Sequence, residues 1–184
     1  MPLPQSVDRD LKHSRDVTCR GYERVDGLFD IEGHIVDTKP FSYDDMLGTK
    51  FEAGRPIHEM WLRITIDRSL LIHEAVSASD HTPYAQCLQA NALYAQLNGI
   101  KIGPGWWSAV RARVGGTAGC THIMELLRPM ATTAYQTLAG LRAYDGRTNP
   151  ERKPAWLDSC VSHASSSPVT AQLFPNFYKP DPNT

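Results

Sequence analysis

The sequence has no long hydrophobic run. No stretch approaches the ~20 apolar residues needed to span a bilayer, so no membrane partner is expected. It also lacks a charge excess: 19 Lys and Arg stand against 20 Asp and Glu, a net charge of −1. That excludes a dominant basic footprint for nucleic acid and any acidic tract. The opening residues, MPLPQSVDRDLKHSRD, lack the apolar core of a secretory signal, and a cytoplasmic location is the expectation. Cysteine is sparse, with only Cys19, Cys87, Cys120 and Cys160. In a reducing compartment such thiols are free, catalytic or metal-bound more often than paired. The phosphate-cradling GxxxxGKS/T and GxGxxG spacings are missing, as are the GxSxG elbow and HExxH. Common nucleotide-binding, serine-hydrolase and zincin readings therefore have no support.

What is present reads as one soluble domain with an appendage. The chain has 184 residues, of which 41% are hydrophobic and 21% charged. Residues 1–16 are polar and aperiodic and are expected to form a flexible arm. Residues 17–149 form the expected α+β domain, and residues 150–184 a proline-rich extension that wraps back over it.

Asp26-Gly27 separates two strand-like runs, 18–25 and 28–37, which is the pattern of a hairpin with a type I′ turn. In the second run Asp30, Glu32, His34 and Val36 share a face. Residues 58–67 (HEMWLRITID) alternate most clearly, with Met60, Leu62, Ile64 and Ile66 pointing one way. Residues 70–77 pair with them, turning at Arg68-Ser69. A helix is expected over 83–97, capped by Asp80 or Thr82. Residues 107–114 fit a short helix or a strand. A second long helix is expected over 120–141, kinked or split at Pro129. The architecture is thus a small antiparallel sheet of hairpins against two long helices.

Several residues have the chemistry for a site. Cys120 sits where a glycine-rich loop becomes a helix, a place where backbone N–H groups and the helix dipole favour a thiolate. His122 lies two residues on and Glu125 three further, on one helical face. Cys87 opens the other expected helix. His58 begins the clearest strand and shares the parity of Met60, so it points inward. One imidazole and two thiolates suit zinc or iron. Glu32 and His34 form a further acid/base or ligand pair on a strand face. Each has a plainer reading: a core cysteine, a hydrogen-bonded histidine, a solvated strand face.

The segments RGYERVDGLFDIEGHIVDTKPF, IHEMWLRITID and IGPGWWSAVRARVGGTAGCTHIMELLRPMATTAYQTL, with LDSC at 157–160, resemble a bacterial family known as a domain of unknown function. The order of strand, strand, Cys87 helix, Leu97-Asn98-Gly99 and Cys120 helix also resembles the NifU-type iron–sulfur scaffolds, with a NifU- or SufE-like sheet on helices. That second likeness covers residues 56–140. It implies a cluster or zinc site of three cysteines with an Asp and a His. Two of its cysteines fall at Cys87 and Cys120, its Asp at His58, and its first cysteine at Pro56, where it is missing. The His preceding the last cysteine is also missing.

The leading expectation is a metal-dependent lyase or hydrolase acting on a small organic or aromatic acid. Zinc, or alternatively ferrous iron, would be held by His58, Cys87, Cys120 and His122. His122 or Glu125 would serve as acid/base, with Glu32 and His34 in support. Trp61, Trp106 and Trp107 would wall the pocket, and Arg63 or Arg111 would pair the substrate carboxylate. The alternatives are an iron–sulfur or sulfur scaffold, a metal-free thiol enzyme built on Cys120 and His122, and a structural zinc domain. A sheet of this size also leaves room for a homodimer interface.

Overall fold

The computed structural model describes residues 3–141, 151, 153–154 and 156–180. The fold is α+β, and the chain divides into two compact units, Met1–Thr137 and Leu138–Thr184. Residues 142–150, where the domain was expected to give way to its extension, lie outside the described residues.

Unit one is built on an antiparallel sheet in the order β1 (Ser14–Glu23), β2 (Phe29–Thr38), β5 (His58–Ile66), β6 (Ile72–His81). Between β2 and β5 lies a small separate pair, β3 (Tyr43–Asp44) and β4 (Lys50–Phe51). β1 begins at Ser14, so the aperiodic arm is shorter than expected. The β1–β2 turn differs from the type I′ expectation. Gly27 takes φ 82° while Asp26 stays out of the left-handed region. Gly27 N–H donates to the Arg24 carbonyl, which makes a longer turn closed by one left-handed glycine.

Strand alternation sets the core. On β5, Met60, Leu62, Ile64 and Ile66 are buried, as their spacing predicts. On β2, Phe29, Ile31, Ile35 and Asp37 are buried on the same side. This inner face is covered by α2 (Thr121–Thr137), whose Ile123, Leu126, Leu127, Met130 and Ala134 are buried at helical spacing. Full burial of each such aliphatic side chain contributes roughly 1.5–3 kcal/mol. Two glycines let the helix lie close. A Cβ at Gly33 would meet Met130 Sδ at 2.6 Å, and one at Gly21 would collide with the Thr137 side chain.

α2 runs unbroken through Pro129. Thr133 and Thr137 hydroxyls donate to carbonyls one turn back, including that of Pro129. The first expected helix is corrected: Ala85–Leu97 is a 3-10 helix. The Asn91 carbonyl accepts from the Ser77 hydroxyl of β6, which diverts an acceptor an α-helix would use. Neither expected cap forms, because Asp80 accepts from the Trp61 indole N–H and Thr82 donates to the Tyr84 carbonyl. The ambiguous segment is helical, α1 (Trp106–Val114). Of the two expected long helices only α2 is an α-helix.

In unit two, Asp158 takes a left-handed φ of 66°. Its carboxylate accepts from the Ser165 N–H and hydroxyl. Ser167 caps α3 (Pro168–Leu173) by accepting from Thr170 N–H.

Candidate metal centre

Asp37 is the hub. It lies near the end of β2, in phase with Phe29, Ile31 and Ile35, and has no exposed surface. A buried carboxylate needs partners, and this one has several. Arg15 of β1 grips it with both arms of its guanidinium: Nε donates to Oδ1 at 2.7 Å and Nη2 to Oδ2 at 2.8 Å. Register supplies these neighbours, since Arg15 and His58 both sit opposite Asp37 in the ladder. His58 Nδ1 lies 3.0 Å from Oδ2. His122, from the first turn of α2, brings Nε2 to 3.8 Å from the same oxygen. His13 Nε2 stands 3.3 Å from Oδ1.

The two inner imidazoles stack, with ring centroids 3.6 Å apart. Asp37, His58 and His122 each offer a ligand atom, and the three atoms lie within 4.8 Å of one another. Burial pushes the His58 pKa down against the pull of Asp37, and Arg15 and His13 add to the fall. Burial also lowers that of His122, reinforced by the charges of His58 and Arg15. Neutral imidazoles with free lone pairs are the form that binds metal. Burial opposes ionisation of Asp37, but Arg15, His58 and His122 outweigh it, and its pKa falls below the ordinary carboxylate value.

The start of α2 is pinned from the 3-10 helix. Tyr94, wholly buried, donates to the Cys120 carbonyl at 2.6 Å and accepts from the Cys120 N–H at 3.2 Å. This fixes where His122 leaves the backbone. Cys120 Sγ is 3.9 Å from His122 Nδ1 and 3.9 Å from Met60 Sδ. Glu125 is close enough for its charge to act on both Arg15 and His122.

Of the expected ligands, His58 and His122 converge. Cys120 borders the cluster, and Cys87, on the 3-10 helix, is not part of it. Asp37 completes the group instead. His34 and Glu32 lie on the opposite, outer sheet face. There His34 stacks on Trp61 at 3.5 Å and approaches Glu59 Oε1 at 3.3 Å. Glu59 Oε2 lies 2.9 Å from His81 Nδ1. Glu32, Trp61 and Arg63 line an outer groove of about 360 Å³, so Trp61 and Arg63 cannot wall the inner centre. Trp107 carries Arg128 over its ring at 4.0 Å, and Trp106 is buried with its indole N–H unpartnered.

Sequence reasoning missed Asp37, Arg15, His13 and Glu59. Asp37 had a signal: a carboxylate in phase with an apolar strand face. Arg15 and His13 lay in the presumed arm and had none.

Fold and cluster together describe an α+β domain with a carboxylate and two histidines gathered under one sheet end. The chain belongs to the family described as "Protein of unknown function (DUF2889)", whose model matches residues 13–136 and so includes the whole cluster. Neither the curated proteins nor the solved structures contain a match, and the NifU-type likeness is not shown. Among the described residues no helix is long and apolar enough to cross a membrane.

Proposed function

We propose that this domain is a mononuclear metal-dependent enzyme, a lyase or hydrolase for a small organic acid. Zinc, or ferrous iron in its place, would be bound by Asp37, His58 and His122. The observation that carries the reading is the convergence of three ligand atoms within 4.8 Å, two of them on imidazoles held toward neutrality. Two histidines and a carboxylate are a donor set that zinc and ferrous enzymes use with positions left open. An ion there would polarise a carbonyl or acidify a bound water. Glu125, whose charge acts on His122, would serve as the acid/base. Arg15 commits Nε and Nη2 to Asp37 and leaves Nη1 for a substrate carboxylate.

The test is metal content of tag-free, anaerobically purified protein, beside Asp37→Asn, His58→Ala, His122→Ala and Cys120→Ser variants. About one equivalent of metal, lost in the first three and kept in Cys120→Ser, supports the reading. A metal-free wild type ends it.

One further observation favours a second reading. Cys120 Sγ, His122 and Asp37 form a line of contacts, 3.9 Å from thiol to imidazole and 3.8 Å from imidazole to carboxylate. That is the order of a thiol nucleophile, its base and the group that orients the base. Alkylation of Cys120 that is fast, indifferent to chelator and slowed by His122→Ala would select it.

A further inference from the structure

The two edges of the sheet are finished differently. The β6 edge is covered by the 3-10 helix and the turn after it. Ser77 Oγ donates to the Asn91 carbonyl, Ser79 Oγ to Asn91 Oδ1, and Ile72 exchanges main-chain bonds with Gly99 and Ile100. Among the described residues the β1 edge has nothing comparable. Among the described residues β1 pairs with β2 alone, and eight of its ten residues are exposed. Its register with β2 is unbroken over all ten residues, and it contains no proline. An edge that is long, regular and free of bulges is a template for another strand.

The charges on this edge indicate which strand. Asp16 and Arg20 project from the outer face, four residues apart and of opposite sign. Neither takes part in an ion pair among the described residues. The one hydrogen bond to Asp16 is a long one from Ser14, at 3.4 Å. Antiparallel pairing of β1 with itself about a twofold axis at Thr18 sets Asp16 against the partner's Arg20, and Arg20 against the partner's Asp16. On the inner face it sets Val17, 43% exposed, beside the partner's Cys19. The neighbouring axis, at Cys19, would instead oppose Arg15 and the partner's Glu23, but Arg15 is already committed to Asp37.

We propose that β1 is the contact surface for a second copy of this chain, joined in antiparallel register about Thr18 into one continuous sheet. The ladder supplies on the order of ten main-chain hydrogen bonds, the number a typical interface carries. The two reciprocal Asp–Arg pairs select the register. The inference stands apart from the metal reading, because it uses neither the cluster nor its chemistry.

Sedimentation velocity over a range of concentrations tests it on the full chain. Wild type is expected to dimerise. R20D, which opposes two carboxylates on each side of the axis, weakens the dimer by about tenfold or more, and D16R/R20D restores it. Thr18→Cys in a Cys19→Ser background cross-links on mild oxidation, because opposed antiparallel residues stand ~4.5–5.5 Å apart, within disulfide reach. Circular dichroism melts establish that each variant is folded. A monomer at every concentration overturns the proposal. So does a dimer indifferent to R20D, or one that cross-links through native Cys19 and not through position 18.

Discussion

Each face of the sheet carries a carboxylate among histidines, two around Glu59 on the outer face and three around Asp37 on the inner, and the two arrangements differ in whether an oxygen is shared. On the inner face His58 and His122 approach the same oxygen, Asp37 Oδ2, from two elements. On the outer face His34 and His81 take opposite oxygens of Glu59. A shared oxygen draws ligand atoms together around a point, whereas a bridged carboxylate holds them apart. The inner trio meets the distance condition for one ion, and no other group of three among the described residues does. Arg15 grips Asp37, while among the described residues Glu59 pairs only with histidines. The same residue types therefore make a focused centre on one face and a surface brace on the other.

The largest expected effect separates the faces by metal affinity. His58→Ala or His122→Ala should weaken zinc binding by more than about a hundredfold, while His34→Ala and His81→Ala leave it unchanged. Isothermal titration against zinc reads this directly. Loss of metal in His34→Ala would erase the distinction.

Stability comes next. Asp37→Ala removes the partner of Arg15 and of three imidazoles and should cost about 2–3 kcal/mol in urea unfolding, below a fully buried pair because Arg15 is partly exposed. Glu59→Ala should cost about 1 kcal/mol or less. Equal losses would mean that both carboxylates are simple braces.

Acid sensitivity sharpens the inner side. His58 and His122 have depressed pKa values when folded. Below the ordinary histidine pKa of about 6.5 the unfolded chain takes up protons that the folded one refuses. Their contribution is whole above that pH and is lost as pH falls toward the folded values. Metal-free protein should therefore lose stability from about pH 6.5 downward, and His58→Ala/His122→Ala should flatten that part of the profile. An unchanged slope would rule out buried neutral imidazoles.

At the inner carboxylate the smallest effect is that of Arg15→Lys, which keeps the charge and loses the two-armed grip. It should cost about 1 kcal/mol in the same urea assay.

The sheet was largely legible because its signal is periodic. Alternation in residues 58–67 located β5 and its buried face, and Asp26-Gly27 located the first hairpin. The 3-10 helix was not legible, because its form depends on hydroxyls of β6 that compete for its carbonyls. His58 and His122 could be nominated from parity and helix position. Asp37 was not legible as part of a site because Asp30, Glu32 and His34 put the polar side chains of the same strand on its other face. Arg15 joins the cluster only through strand pairing, and pairing is not written in local pattern.

Gly33 lets α2 rest against the sheet: a Cβ there would meet Met130 Sδ at 2.6 Å and Leu126 Cβ at 3.3 Å, and His122 sits four residues before Leu126 on the same helix. At 1.5 Å per residue that is a lever arm of about 6 Å. A tilt of roughly 5° at the fulcrum would swing the imidazole by about 0.5 Å. If the trio holds an ion as proposed, hydrogen in place of a methyl group in mid-sheet would govern how closely its ligand atoms gather.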